Sequence, residues 1–144
     1  MLALARDHAE GAHPYLVTPG HTAVARDVLG PGKFLAAEQA VVFSTNPETV
    51  RRRGRAHVAS YLRADAYPNN WKRLGFTDDD FTDGGSDRLV SALVAGGGTG
   101  TIQQRVKEHL DAGADHVCLQ ALSDESFGFP REQWRELAPA LLEC

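Results

Sequence analysis

Cysteine, uninterrupted apolar sequence and basic charge are all scarce in this chain of 144 residues. Two cysteines, Cys118 and Cys144, are too few for a disulfide framework or a metal cluster, so a reducing, cytoplasmic compartment is expected. Apolar runs are a handful of residues long, whereas a membrane-spanning helix needs roughly 20. Arg6 and Asp7 follow the apolar start at once, which is untypical of a signal peptide. The formal net charge of −4 offers no basic surface, so no nucleic-acid partner is expected.

What the sequence does contain is a regular alternation of helix and strand patterns. Thr18 before Pro19 and Asn46 before Pro47 are typical N-cap and first-turn pairs, and Gly30 is a typical helix end. Strands are predicted at "AHPYLV", "EQAVVFST" and "ADHVCLQAL". Helices are predicted at "MLALARDHAEG", "HTAVARDVLG", "PETVRRRGRAHVASYL", "NNWKRLGF", "TIQQRVKEHLDAG" and "PREQWRELAPALL". The apolar segment "DRLVSALVAGGGTG" fits helix and strand equally well.

This alternation indicates an α/β fold with about three or four parallel strands. "HAEGAHPYLV" and "LDAGADHVCL" share one order, in which a helix end, Ala and Gly precede a mostly apolar strand. Such repeated units favour parallel strands joined by right-handed crossovers and buried on both faces. The sheet could belong to a small doubly wound domain or to half of a (β/α)₈ barrel. Composition does not separate these two architectures.

Four segments, in this order, resemble the C-terminal half of a luciferase-like oxidoreductase, in the branch that uses the deazaflavin coenzyme F420. They are "GAHPYLVTPGHT", "EQAVVFSTNPETVRRRGRAHVASYL", "NNWKRLGFTDDDF" and "GADHVCLQAL". The resemblance spans residues 1–144 and implies a single domain fragment, comprising about the fifth to eighth βα units of a TIM-type barrel. Met1 then falls inside the helix before the fifth strand. The chain is accordingly expected to be a truncated or separately started reading frame.

The resemblance also implies a cofactor site, because luciferase-like proteins hold the phosphate tail of a flavin or deazaflavin at the loop after the fifth strand. A helix N-terminus there offers free N–H groups and a positive dipole end. Phosphate contacts are expected from Thr18, Gly20, His21 and Thr22, and contacts nearer the ring from Ala12 and His13. The alternative interpretation of the same residues is an ordinary capped helix.

Other candidate motifs are weaker. The glycine-rich stretch 96–101 precedes a helix but lacks a dinucleotide or P-loop pattern, so a flexible turn is favoured over a phosphate site. The six histidines show neither HxH nor HExxH spacing, so no metal site is expected. Cys118 lies in an apolar strand and is interpreted as a packing residue. No catalytic residue is named.

The function implied by the resemblance is hydride transfer between F420, or alternatively FMN, and a small organic substrate. The fragment is expected to be incomplete as an enzyme, because strands preceding residue 1 form much of the pocket around the reactive ring. The residues do not indicate the substrate. The alternative is a non-catalytic α/β module that binds a phosphorylated ligand or pairs with a second chain. Half a barrel exposes two parallel edges, so a homodimer or other association through those edges is expected.

Overall fold

The computed structural model describes residues 1–123 and 129–142, which form helices around a four-stranded sheet. The strands are β1 (Gly11–Ala12), β2 (Phe34–Phe43), β3 (Val94–Gly97) and β4 (His116–Ala121). The helices are α1 (Leu2–His8), α2 (Pro19–Leu29), α3 (Pro47–Tyr61), α4 (Ala66–Arg73), α5 (Asp87–Leu93), α6 (Thr99–Asp111) and α7 (Arg131–Leu142), with a 3₁₀ turn at Asp78–Phe81. Every strand pair is parallel, so the predicted α/β class is confirmed.

Two of the predicted helix starts have the side-chain caps that their sequences indicate. The Thr18 hydroxyl accepts a hydrogen bond from the backbone N–H of His21 at the start of α2. The Asn46 side chain accepts from the N–H groups of Glu48 and Thr49 at the start of α3. In both helices proline follows the cap, where its missing N–H costs no intrahelical bond.

The long central strand β2 has apolar core on both of its faces. Ala40 and Val42 lie in a cluster with Trp71 and with buried side chains of α3 and α5. Leu35 packs on α2, and Val41 packs with buried side chains of α6 and α7. This two-sided burial explains why β2 is apolar along most of its length.

The order of strands differs from that of a barrel, in which each strand lies beside the next one along the chain. Here β3 and β4 both align with Ala40 and Val41 of β2. Two strands that align with the same residues must lie on opposite edges, so β2 lies between β3 and β4. Residues 10–14 lie along the same edge of β2 as β3. Their carbonyls accept from the even-numbered residues Phe34 and Glu38, whereas the segment before β4 bonds to the odd-numbered Leu35, and odd and even residues of a strand bond on opposite edges. The sheet thus does not establish the predicted half barrel.

The predicted strand "AHPYLV" is much shorter than expected. Its regular pairing ends at Ala12, although the Pro14 carbonyl still accepts from the N–H of Glu38. Pro14 has no N–H to donate, and Leu16 adopts a left-handed backbone with a φ of 53°. Both features interrupt a continuous ladder of hydrogen bonds, so residues 13–17 run beside β2 as an irregular segment.

The segment that the sequence left unassigned divides into a helix and a strand. Ser86 caps α5 by accepting from the N–H of Leu89, and the chain then enters β3 directly. The expectation of a flexible turn at residues 96–101 was wrong. Gly96 and Gly97 end β3, and Gly98 is the N-cap of α6.

Gly96 offers a direct test of how closely α3 approaches β3. A Cβ added to Gly96 would lie 2.0 Å from Cγ1 of Val50. We expect Gly96→Ala to lower the free energy of unfolding by about 1–3 kcal/mol through overpacking, as measured by urea denaturation. Gly100→Ala is the matched control, because a Cβ on this exposed α6 residue meets no atom within 4 Å. Equal stabilities of the Gly96→Ala and parent proteins would contradict this packing.

Candidate functional site

The predicted cofactor turn lies between β1 and α2. Thr18 uses its hydroxyl to cap the helix, and its carbonyl accepts from the N–H of Thr22. Gly20 is exposed, and a Cβ there would meet only the Thr18 hydroxyl, at 3.6 Å. The open part of this helix N-terminus is therefore the backbone around Gly20.

Thr22 points away from this turn into a buried polar network. Its hydroxyl donates to Nδ1 of His109 at 2.8 Å, and Nε2 of His109 donates to Oε1 of Gln39 at 2.9 Å. The Gln39 amide nitrogen donates in turn to the carbonyls of Ala40 and Leu93. Thr22, Gln39 and His109 are all fully buried. The network ties α2, α5 and α6 to β2, which is a structural role.

The remaining predicted contacts occupy different environments. Ala12 pairs with Leu35 in the sheet. His13 is exposed, and its Nδ1 lies 2.8 Å from the carbonyl oxygen of Ala36. His21 is buried beside the start of α2, and its Nδ1 has no hydrogen-bond partner among the described residues. Two of the predicted contacts therefore keep a polar group that could bind a ligand. These groups are the exposed backbone of Gly20 and the buried Nδ1 of His21, which has no partner among the described residues.

A second polar site lies on the opposite face of β2, around Glu38. This side chain is 4% exposed, and its Oε2 accepts from the N–H of Leu16 at 2.8 Å. Oε1 has no partner among the described residues. Burial raises the pKa of Glu38, and the charge of nearby His13 opposes that rise. One carboxylate oxygen of Glu38 therefore binds the N–H of the left-handed residue Leu16, and the other oxygen is unpaired among the described residues.

Three tyrosines, Tyr15, Tyr61 and Tyr67, adjoin Glu38 and are called the tyrosine cluster below. Tyr15 donates to Oε1 of Gln120 at 2.6 Å, and its hydroxyl lies 2.8 Å from that of Tyr61. The Tyr61 and Tyr67 rings are 4.8 Å apart between centroids. The charge of Glu38 contributes to the raised pKa values of Tyr15 and Tyr67, behind burial as the main cause. The Gln120 side chain that accepts from Tyr15 shares the Glu38 face of the sheet, since Gln120 aligns with Ala40 and Cys118 with Glu38.

His57 lies on the far side of the tyrosine cluster. Its ring centroid is 5.2 Å from that of Tyr61 and 6.5 Å from that of Tyr15. Its buried Nε2 has no partner among the described residues, and burial lowers its pKa. A neutral imidazole and an unpaired carboxylate oxygen thus flank one pair of tyrosines.

The glycine-rich joint after β3 opens onto a groove between α3, α5 and α6. Its volume is about 540 Å³, and its lining includes Gly96, Gly100, Thr101, Arg51 and Arg105. The start of α6 has no side-chain cap. Such a joint can accept an anion at its N–H groups. Arg105 is already bonded to the carbonyls of Ser91 and Ala92 and to Glu108, so it supports the walls of the groove.

Within residues 1–123 and 129–142, no helix is long and apolar enough to cross a membrane. The same residues contain no group of three or more His, Cys, Asp or Glu side chains that could hold a metal ion. Searches against known protein families, curated proteins and solved structures gave no match. The likeness to luciferase-like oxidoreductases therefore stays a prediction from the sequence.

The Glu38 site was missed by the sequence interpretation, although one signal for it was available. Glu38 and Gln39 are two adjacent polar residues in the middle of the otherwise apolar strand "FLAAEQAVVF". A carboxylate at the centre of a strand buried on both faces is unusual, because burying a charge is costly without a partner. The tyrosine cluster gives no such signal, because Tyr15 lies 46 residues before Tyr61 in the sequence.

Thr22→Val tests whether Thr22 is structural. Valine keeps the shape but removes the hydroxyl that donates to His109, so we expect a loss of about 1–3 kcal/mol in the free energy of unfolding. Thr45→Val, at an exposed position before α3, is the control and should change stability by less than about 0.5 kcal/mol. A fully stable Thr22→Val protein would contradict the network.

Acid should destabilise the folded chain through its buried histidines. Burial lowers the pKa values of His21, His57 and His109, that of His109 to about 4. Below the ordinary histidine pKa of about 6.5 the unfolded chain binds protons that the folded chain does not, so stability falls between pH 6.5 and 4. Each such histidine contributes a slope of up to about 1.4 kcal/mol per pH unit.

The contribution of His109 can be isolated by comparing the parent with His109→Gln. Urea denaturation at several pH values should give the variant a shallower dependence over this window. Glu38 acts with the opposite sign, because its raised pKa makes the folded chain bind a proton more tightly. That effect is present in both proteins and cancels in the comparison. Identical slopes would show that His109 is not kept neutral by folding.

Proposed function

We propose that this chain contributes the cofactor-tail site of a luciferase-like oxidoreductase that uses F420, or alternatively FMN, to transfer hydride to or from a small organic substrate. The observation that carries the proposal is the accessible start of α2 at Gly20, on the joint that the sequence resemblance assigns to the cofactor phosphate. A helix N-terminus combines free N–H groups with a positive dipole end, and both favour a phosphate.

Two groups at this joint fit a phosphate. No neighbouring backbone or core atom crowds Gly20, so a phosphate oxygen could approach its N–H closely. Nδ1 of His21, in the first turn of α2, has no partner among the described residues but is buried, so its side chain would have to turn outward to reach a phosphate. In the tautomer protonated at Nδ1, this atom can donate a hydrogen bond to an anion. These two groups would hold the tail.

The other predicted contacts fit less well. The hydroxyls of Thr18 and Thr22 are engaged by the helix cap and by His109. Ala12 and His13 remain assigned to the neighbourhood of the ring, where His13 still has Nε2 available. The proposed site for the cofactor tail thus contains fewer residues than the sequence predicts, with Gly20 and His21 at its centre.

The chemistry of such an enzyme is carried by its cofactor, since a bound deazaflavin ring takes up or gives up the hydride. The residues of this chain bind and orient the tail. No residue is assigned to catalysis, because the proposal places the walls around the reactive ring in strands that precede residue 1. The fragment by itself is therefore proposed to bind cofactor weakly and to show no turnover.

The architecture that accompanies this proposal is the later half of a (β/α)₈ barrel. Barrel order would place β4 on the outer edge of β3, which is the edge along which the 540 Å³ groove runs. The proposal therefore requires two changes when the rest of a barrel is present. β4 leaves β2 and pairs with β3, and residues 10–14 move to the edge of β2 that β4 vacates. Without those strands, association through free sheet edges is proposed, including a homodimer.

A second candidate function is a non-catalytic α/β module that binds a phosphorylated ligand. The observation that favours it is the joint after β3, where Gly96 and Gly97 lead to an α6 start with no side-chain cap. At the carboxyl end of β2 the chain goes to α3 on one face, whereas β3 leads to α6 on the other. Ligands of α/β proteins commonly bind where neighbouring strands diverge in this way.

Cofactor titration tests the proposal and separates it from the alternative. F420 and FMN fluorescence would be followed as the chain is added, with Gly20→Val as the test variant. We expect Gly20→Val to weaken F420 binding by more than about 1 kcal/mol, because its side chain blocks approach to the N–H. Gly32→Val is the matched control, since a Cβ on Gly32 meets no atom within 4 Å.

Unchanged affinity in a folded Gly20→Val protein would rule out close backbone contact at this turn. Binding of inorganic phosphate or a simple phosphate ester without preference for F420 or FMN would favour the non-catalytic module. Co-expression with the N-terminal half of a luciferase-like protein should strengthen F420 binding, because the sheet edges can then pair. Robust turnover by the 144-residue chain alone would overturn the half-barrel account.

A further inference from the structure

The carboxyl group of Glu38 is the most poorly compensated polar group in the described core. One of its oxygens accepts from Leu16, but Oε1 has no hydrogen-bond partner in residues 1–123 and 129–142, although the residue is only 4% exposed. Burying an ionised oxygen without a partner is costly. A ligand that donates a hydrogen bond to Oε1 would remove this cost, and one that also carries a positive charge would neutralise the carboxylate.

The carboxylate and the tyrosine cluster favour a ligand that donates a hydrogen bond, whereas the basic side chain of His13 opposes a cationic one. Tyr15 and Tyr67 feel the charge of Glu38, and Tyr61 connects these two tyrosines through a hydrogen bond and a ring contact. Hydroxyl oxygens accept hydrogen bonds, and tyrosine ring faces attract cations. His13 is the basic side chain whose charge acts on Glu38, and it is exposed. An anion such as phosphate would be repelled here.

The site is reachable from the β4 side of the sheet. His116, Cys118 and Gln120 align with Ala36, Glu38 and Ala40, so their side chains share the Glu38 face. His116 and Gln120 are exposed. Gln120 also accepts from the Tyr15 hydroxyl, so it lies at the rim of the tyrosine cluster. We infer that a small ligand would enter from this edge and displace the hydrogen bond between Tyr15 and Gln120 to reach Glu38.

We propose that Oε1 of Glu38, together with the tyrosine cluster, binds the protonated amino group of a small organic amine. The ammonium donates to Oε1, and the tyrosine rings and hydroxyls surround its remaining face. His57, whose Nε2 is unpaired, lies beyond Tyr15 and Tyr61 and extends the acceptor-rich lining. This site is separate from the α2 joint and does not depend on the proposed cofactor.

Amine binding should be coupled to a proton. In the free chain burial raises the pKa of Glu38, and a bound ammonium would lower it again. Affinity should therefore increase as the pH rises through the raised pKa of Glu38, provided that the amine itself stays protonated. His13 works against this trend when it is charged, because it already lowers the pKa of Glu38. Tyr15 and Tyr67 stay neutral, since burial raises their pKa values.

The first experiment compares propylammonium with 1-propanol on the unaltered chain. These probes have similar shape, but only propylammonium is charged, and potassium chloride holds the ionic strength constant. We expect saturable propylammonium binding in NMR titration, with affected resonances at Glu38, Tyr15 and Gln120. Binding of 1-propanol should be weaker by about tenfold or more, the factor that corresponds to 1.4 kcal/mol. Failure of propylammonium to saturate, or equal binding of both probes, would overturn the proposal.

The second experiment assigns the binding to Glu38. Glu38→Gln can still accept from Leu16 but lacks the charge, and it should weaken propylammonium binding by about tenfold or more. Glu136→Gln, on an exposed position of α7, is the control and should leave affinity within about twofold. Unchanged affinity in Glu38→Gln would overturn the assignment. Calorimetry in two buffers of different ionisation enthalpy should detect proton release from the parent. This measurement decides the question if Glu38→Gln does not fold.

Discussion

The pairing of β2 with strands on both of its edges is the constraint on which the rest of the structure depends. This ten-residue strand aligns with β1 at its start, with β4 along its middle and with β3 towards its end. Side chains of β2 project alternately to the two faces of the sheet, and helices cover both faces. The alternation along this one strand therefore decides which of its residues meet each helical layer.

Two adjacent polar residues at the centre of β2 show how that alternation fixes the two layers. Gln39 faces α6, where its amide links His109 to the carbonyl of Leu93. Glu38 faces the other way and holds the N–H of Leu16, whose carbonyl accepts from the indole of Trp71. A shift of one residue in register would exchange these environments and leave both side chains without their partners. A shift of register therefore costs more free energy with this polar pair than it would with two apolar residues.

The two sites differ in how fully their polar groups are satisfied. At Gln39 the side-chain amide and both ring nitrogens of His109 are hydrogen-bonded, so this network is expected to contribute rigidity and little else. At Glu38 one oxygen stays unpaired beside tyrosines that are themselves hydrogen-bonded. Incomplete satisfaction in an otherwise well-packed interior is a common property of binding sites, because the ligand supplies the missing partner.

The sequence was informative where the determinants are local and uninformative where they are not. Caps such as Thr18 and Asn46 and the apolar periodicity of β2 act over a few residues, so the helix starts and the parallel α/β class could be predicted. The strand order could not, because a crossover helix leads to either edge of β2 with the same local pattern. The early end of β1 depends on the left-handed Leu16, which Glu38 stabilises from 22 residues away. Likewise, Thr22 was assigned to a ligand because its partner, His109, lies 87 residues further along the chain.

Strand order also distinguishes the observed sheet from the proposed half barrel. In the observed order no strand of residues 1–123 and 129–142 pairs with the edge of β3 that faces away from β2, and α3, α5 and α6 flank the groove beside it. A strand entering that groove would meet Gly96 and the glycines that follow, which have little side-chain bulk to obstruct it. If β4 were that strand, it would leave β2, and Cys118 would no longer align with Glu38. The Gln120 contact at the rim of the amine site would be lost with it. The proposed barrel arrangement and the Glu38 site in its present form would therefore need β4 in different pairings, so an amine bound at Glu38 is expected to disfavour the proposed barrel order.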